Sequence, residues 1–319
     1  MHPDIERLVE QFKALELHAT RSGREVMLAL AQVAEDSHAG SLPALMAEID
    51  AAMDALLEVM QPYAPPLNVM HRVQIILEEA EQGHFSFEAL QRKLIQESEI
   101  LAQRNKFSKA ALAQYVTNLI PDGAAIFTFT LSETVLSALL AAHHSGKTFR
   151  VLVTESRPNN DGLITAAELS KAGIPVSVSI DACMGELILE ADLMIVGAEA
   201  INSDGSAIAK VGTYPAALLA KIQRIPVFVV VDTLKFNVAS LVGLSLKLDP
   251  LVFPHNLAYR DLPLRGHLFD ITPASLITNL ITEHGVFSPT EVMALISDMP
   301  QSTILNTKLA SYFSNLPAS

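Results

Sequence analysis

The sequence predicts an α/β protein: an N-terminal helical domain over residues 1–119, followed by a Rossmann-like, doubly wound parallel-sheet domain over residues 120–319. Three observations carry this expectation. The first 119 residues repeat apolar side chains at i, i+3 and i+4 and hold no strand signal. The turn Pro121-Asp122-Gly123 then interrupts the pattern. Beyond it, short and continuously apolar runs alternate with helical stretches, which is the pattern of a parallel sheet covered on both faces.

The elements follow in order. Ile5, Leu8, Val9, Phe12 and Leu15 share one face of a first helix, and Val26, Leu28, Leu30 and Val33 mark a second after Gly23. Leu45 to Met60 makes a third, with Ser41 as its N-cap and Pro43 in the first turn. Further helices are expected near 67–81, 86–104 and 107–119. Candidate strands are Ala125–Thr128, Phe149–Thr154, Pro175–Ser179, Leu193–Val196 and Val227–Val231, separated by helices near 132–145, 162–172, 183–190 and 213–223. Right-handed crossovers between such strands give the doubly wound sheet. Residues 237–268 hold no clear element. In the tail, Thr272-Pro273 and Ser288-Pro289-Thr290-Glu291 read as helix starts, the second as a capping box.

Composition narrows the function. Lys plus Arg is 22 against 35 Asp plus Glu, a net charge of −13, so the surface repels nucleic acid and none is expected as a partner. One cysteine, Cys183, excludes an intrachain disulfide and a multi-cysteine zinc site. No HExxH or comparable spacing occurs among the ten histidines, and no GxGxxG follows the first strand, so neither metal nor cofactor is expected. No run approaches 18 apolar residues and the start lacks the basic and apolar regions of a leader, so no membrane contact and a cytoplasmic compartment are expected.

In an open parallel sheet, ligands bind beyond the carboxyl ends of the strands. The residues there are Phe129-Thr130, Glu155-Ser156-Arg157, Asp181, Gly197-Ala198-Glu199 and Asp232-Thr233. Arg157 is suited to bidentate phosphate contact. Lys210-Val211-Gly212-Thr213 opens a helix: Gly212 allows close approach, Thr213 is a capping residue, and Lys210 adds charge to the free N–H groups of the helix start. It reads as a phosphate cradle, without Walker spacing. Cys183, at the start of another helix, reads as a small buried apolar residue.

These stretches carry a resemblance. VLVTESRPNNDG (151–162), IDACMGELILEADLMIVGAEAI (180–201), DGSAIAKVGTYPAALLAK (204–221), VVVDTLKFN (229–237) and FDITPASLITNLITEHGVFSP (269–289) resemble the translation initiation factor 2B alpha/beta/delta-related family. That family includes methylthioribose-1-phosphate and ribose-1,5-bisphosphate isomerases. The motifs are most similar to those of the alpha-type regulatory subunits. The resemblance implies a helical domain followed by a Rossmann-like domain, and a homodimer or larger oligomer formed through the latter. It also implies where isomerase chemistry would sit: a cysteine in a THCN-type loop after the first strand and an aspartate in a GAD motif after the fourth. Here those positions are Thr130 and Glu199, and the Asn that precedes the family lysine is Ala209. A threonine hydroxyl is a far weaker acid than a thiol. Glu for Asp moves the carboxylate by about one methylene, and a displacement of roughly 1 Å costs ~100-fold in rate. Thr130-Leu131-Ser132-Glu133 also fits a capping box, with Thr130 as the cap.

The expectation is therefore a non-catalytic regulatory subunit that binds a sugar phosphate or nucleotide. Arg157, Lys210, Gly212 and Thr213 would face phosphate, and Asp181 and Glu199 would meet sugar hydroxyls. The alternatives are an aldose–ketose isomerase with altered residues, Glu199 acting as base, and an assembly subunit without ligand.

Overall fold

Residues 1–14, 17, 19–59, 63–243, 251–253 and 264–314 are described by a computed structural model. Leu15 and Met60, expected on helices, lie outside the described residues. By Cα proximity the chain divides into two compact units. One is Met1–Lys106 with Leu234–Leu246 and Ala294–Ser319, and the other is Phe107–Thr233 with Lys247–Met293.

The chain opens with α1 (Pro3–Lys13), α2 (Ala19–Glu35), α3 (Leu42–Leu57), α4 (Ala64–Glu81) and α5 (Phe87–Leu119). Ser41 caps α3 as expected, its Oγ accepting from Ala44 N at 3.4 Å. In the first unit, Leu8 and Phe12 of α1, Leu30 of α2, Leu45, Ile49 and Leu56 of α3 and Met70 of α4 are buried. Each such side chain contributes about 1.5–3 kcal/mol by leaving water. The two helices expected at 86–104 and 107–119 are one helix of 33 residues, because Asn105-Lys106 contains neither Gly nor Pro to stop it.

The second unit continues with β1 (Ala124–Thr128), α6 (Glu133–His144), β2 (Phe149–Thr154), α7 (Asp161–Lys171), β3 (Val176–Ser179), α8 (Met184–Leu189) and β4 (Leu193–Gly197). Then come β5 (Ala200–Ile201), β6 (Ala207–Lys210), α9 (Thr213–Ile222), β7 (Val227–Val230), β8 (Leu251–Phe253), β9 (Leu264–Gly266) and β10 (Phe269–Thr272). The unit closes with β11 (Asn279–Thr282) and β12 (Gly285–Phe287); the chain then ends with α10 (Val292–Ser297) and α11 (Thr303–Ser314), of which residues from Ala294 onward belong to the first unit. The main sheet has seven strands in the order β12-β11-β7-β4-β1-β2-β3, parallel except for the hairpin partner β12. Ile126, Val151, Ile195 and Val230 from its centre pack with Leu139 of α6 and Leu169 of α7. The order reverses between β1 and β4, so the crevice of this doubly wound sheet opens beyond the ends of those two strands.

Three features depart from the sequence expectation. Residues 200–201, 207–210 and 269–272 form a separate antiparallel sheet, β10-β6-β5. Thr272 ends β10, paired with Ala207, and only a short 3-10 turn (Ala274–Leu276) precedes β11, so no α-helix starts at Pro273. Most of 237–268 lies outside the described residues. The described parts are a 3-10 segment, Val238–Val242, and the paired strands β8 and β9.

The start at Ser288 is a capping box as expected: Ser288 N donates to Glu291 Oε2 at 2.6 Å, and Thr290 N to Ser288 Oγ at 3.4 Å. Residues 294–319 group with the N-terminal helices, where His71 of α4 accepts at Nδ1 from Ser302 N (3.2 Å) and Lys308 of α11 pairs with Asp50 of α3 (3.0 Å). Burial lowers the His71 imidazole to about 4, so it stays a neutral acceptor for that bond.

Candidate functional site at the carboxyl ends of the strands

Two glycines bring the ends of β1, β4 and β6 together within the second unit. At Gly197, a Cβ would lie 2.3 Å from Ser132 Oγ, so the loop after β1 rests directly on the end of β4. At Gly212, with φ +107°, a Cβ would lie 2.5 Å from the ring of buried Phe129. Only glycine meets both conditions, and the start of α9 is thereby pressed against the end of β1.

The backbone at this end is strained. Thr130 and Ser156, the second residues after β1 and β2, have φ of +62° and +59°. For a β-branched threonine this conformation costs about 1–3 kcal/mol and persists only where the surroundings impose it. They do: Thr165 Oγ1 of α7 donates to Thr130 O at 2.8 Å, and Asp181 accepts from Ser156 N and Arg157 N, both at 2.8 Å. Thr130 is not the cap of α6. Ser132 is, its Oγ accepting from Val135 N at 3.4 Å, because the left-handed turn at residue 130 displaces the helix start by two residues.

Lys210 lies in strand β6 rather than in a loop. Its ammonium meets Asp161 Oδ2 at 2.9 Å, with side-chain exposures of 8% and 19%. The cap of α9 is Gly212, in the left-handed conformation, not Thr213. Thr213 is buried at the first helical position, and its Oγ1 donates to Lys210 O at 2.7 Å. The free N–H groups of α9 have a resident acceptor: Asp270 of β10 accepts from Gly212 N at 2.7 Å and from Tyr214 N at 3.1 Å. Glu199 is half-buried, and its backbone N–H donates to Ile208 O at 2.8 Å. Arg157 is exposed, and among the described residues its guanidinium has no hydrogen bond or ion pair. Cys183 is half-buried at the N-cap of α8.

The structure thus joins Thr130, Gly212, Thr213 and Lys210 through Phe129, Thr165 and Asp161, and joins Arg157 to Asp181. Sequence reasoning missed Asp161 and Asp270, the carboxylates that occupy the expected cradle. Both lie in stretches that carry the resemblance, NNDG and FDITP. The hydroxyls of Thr154 and Ser156 at the end of β2 are fully buried and have no partner among the described residues. No cluster able to hold a metal ion occurs among the described residues, and no described helix is long and apolar enough to cross a membrane.

Asp270 makes the site pH-sensitive. Burial pushes its carboxyl up to about 6, outweighing the backbone N–H groups of Tyr214, Gly212 and Thr213 that favour the ionised form. A carboxyl raised above its ordinary 3.8 stabilises the fold fully below that value, and this contribution is lost as pH rises through about 6. Asp270→Asn keeps an acceptor and removes the titration. Its thermal midpoint should therefore rise relative to wild type as the pH is raised through this window. A difference that stays constant in calorimetry from pH 4 to pH 7 would show that this carboxyl does not titrate there.

Comparison with known proteins decides the family. The model of the initiation factor 2 subunit family matches residues 18–289. The chain belongs to that family. Its relatives carry two kinds of name. The translation initiation factor eIF2B subunit alpha of Dictyostelium discoideum is 32% identical over 232 residues, 69% of this chain and 72% of that one. The methylthioribose-1-phosphate isomerase of Heliobacterium modesticaldum is also 32% identical, covering 69% and 68%. The ribose 1,5-bisphosphate isomerase of Haloferax volcanii is 27% identical and covers 94% and 93%. Among solved structures, the translation initiation factor eIF-2B of Pyrococcus horikoshii superposes with a TM-score of 0.72 at 27% identity, covering 92% of this chain and 100% of that one. The family holds both regulatory subunits and sugar-phosphate isomerases, and the two relatives at 32% identity are one of each.

Proposed function

We propose that this chain is a non-catalytic, regulatory member of the initiation factor 2 subunit family that binds a phosphorylated sugar or nucleotide at the ends of β1, β2, β4 and β6. The observation that carries the reading is Thr130. The loop after β1 keeps a strained left-handed turn, the kind of geometry a binding site retains at a cost to stability. Yet the side chain there is a hydroxyl, where the isomerases it resembles place a thiol. The buried hydroxyls of Thr154 and Ser156, without a partner among the described residues, support a polar occupant beside them. Arg157 is the anion-facing group, and Asp181, Glu199, Lys210, Gly212 and Thr213 complete the lining.

The test is a thermal-shift screen of phosphorylated sugars and nucleoside monophosphates. At a hundredfold excess over Kd, a ligand adds about 2.7 kcal/mol to stability, so a shift of several degrees is expected, and Arg157→Gln should remove it. Absence of any shift in wild type would retire the binding reading in favour of assembly without ligand.

We further propose that the chain self-associates as a homodimer or larger oligomer through residues 120–319. Leu189 of α8 and Tyr214, Leu218 and Ile222, spaced by four along α9, are exposed apolar side chains that support this. A monomer at micromolar concentration in sedimentation velocity would exclude it.

A further inference from the structure

Three features at the ends of the strands have the chemistry to take phosphate oxygens: the Arg157 guanidinium, the Lys210 ammonium and the N–H groups at the start of α9. Two of the three already hold carboxylates of this chain. Lys210 is paired with Asp161 at 2.9 Å in a position only 8% exposed. Gly212 N and Tyr214 N are paired with Asp270 at 2.7 and 3.1 Å. A phosphate brought to Lys210 would sit beside the carboxylate of Asp161, and like charges brought together without water between them oppose binding strongly. Arg157 differs: it is exposed, and among the described residues its guanidinium is uncommitted.

We propose that the site takes a ligand bearing a single phosphate group, held by Arg157, and that Asp161 is the specificity-determining residue that closes the Lys210 position to a second one. The Lys210–Asp161 pair then offers one donor and one acceptor group side by side, which suits sugar hydroxyls rather than a second anion. The inference rests on the phosphate-binding reading and goes beyond it in fixing the number of phosphates and the residue that enforces it.

The experiment is titration calorimetry of ribose 5-phosphate and ribose 1,5-bisphosphate against wild type, Asp161→Asn and Arg157→Gln. In wild type the two compounds should bind within about threefold of each other, because the second phosphate gains nothing. In Asp161→Asn, Lys210 loses its internal counter-ion, and the bisphosphate should gain at least about tenfold over the monophosphate. Arg157→Gln should weaken both. A wild-type preference for the bisphosphate of tenfold or more would overturn the inference, as would a ratio unchanged by Asp161→Asn. Either result would leave the binding reading standing. Binding of neither compound to any of the three proteins would instead overturn both. If Asp161→Asn does not fold, the wild-type ratio alone decides.

Discussion

Gly162→Ala is expected to destabilise the protein by more than about 3 kcal/mol, at or above the top of the range for overpacking. An alanine Cβ at this position would lie 1.8 Å from the carbonyl oxygen of Thr154 and 3.0 Å from its carbonyl carbon. Both obstructing atoms belong to the backbone of β2, so no side chain is able to swing aside. Relief requires α7 to lift off the end of the strand. That movement would break the bond from Gly162 N to Glu155 O (3.1 Å) and carry with it Asp161, which pairs with Lys210, and Thr165, which holds the carbonyl of Thr130. Urea denaturation followed by circular dichroism measures the loss. Gly40 supplies the control: no heavy atom comes within 4 Å of its would-be Cβ and its φ is not positive, so Gly40→Ala should stay within about 0.5 kcal/mol of wild type. Equal midpoints for the two variants would mean that α7 does not pack on β2 as described. Any variant of residue 162 that does fold should also lose the ligand-induced thermal shift, since the same helix start supports both clusters of the site.

The central strands were legible because each is a continuous apolar run bounded by turn residues, a signal written within a few neighbouring positions. The small antiparallel sheet was not. β6 reads Ala-Ile-Ala-Lys, with one β-branched residue and no alternation, and β10, although Phe-Asp-Ile-Thr alternates, is only four residues long; the pairing that makes them a sheet is between distant segments, Lys210 opposite Phe269. A sequence window that sees ten residues has no access to a partner some sixty positions away. The site divides in the same way. Arg157, Asp181, Glu199 and Lys210 were visible as residues following or near apolar runs; the topology puts the first three beyond the carboxyl ends of main-sheet strands and Lys210 at the end of β6 in the small antiparallel sheet. Their neutralising partners were invisible for a physical reason: Asp161 reaches Lys210 across 49 residues and Asp270 reaches Gly212 across 58. An ammonium and a helix start that read as free in the local sequence are, in the fold, one internal ion pair and one helix start bonded to a carboxylate. The capping box expected at Thr130 failed on a local cause of another kind. The pattern Thr-Leu-Ser-Glu fits the motif, but residue 130 has a positive φ, and a side chain that caps a helix sits on extended backbone, as Ser132 does; the left-handed caps Asn160 and Gly212 make no side-chain cap bond.

Turnover of ribose 1,5-bisphosphate and of methylthioribose-1-phosphate by the wild-type protein is expected to stay at the uncatalysed background, and Glu199→Gln should change nothing. The size of the expected deficit follows from the two positions that differ from the isomerases this chain resembles. General acid–base groups contribute about 100- to 10,000-fold each. A thiol with pKa near 8.5 is able to give and take a proton near neutrality, whereas the Thr130 hydroxyl is not, and the strained turn that fixes it leaves no freedom to bring a different atom to the same place. Glu199 retains a carboxylate, but its backbone is pinned by the 2.8 Å bond to Ile208 O, so the extra methylene is not absorbed by a shift of the main chain. Loss of the thiol and displacement of the carboxylate together predict a deficit of about 10,000-fold or more while leaving Arg157 available to hold a phosphate. Binding and turnover are separable on these grounds, and so are the assays. A ligand-induced thermal shift without conversion is the expected pair of results. Conversion that disappears in Glu199→Gln would instead establish an isomerase with a rebuilt acid–base pair, and would make Glu199, with Thr130 or a water beside it, the residue through which the proton moves.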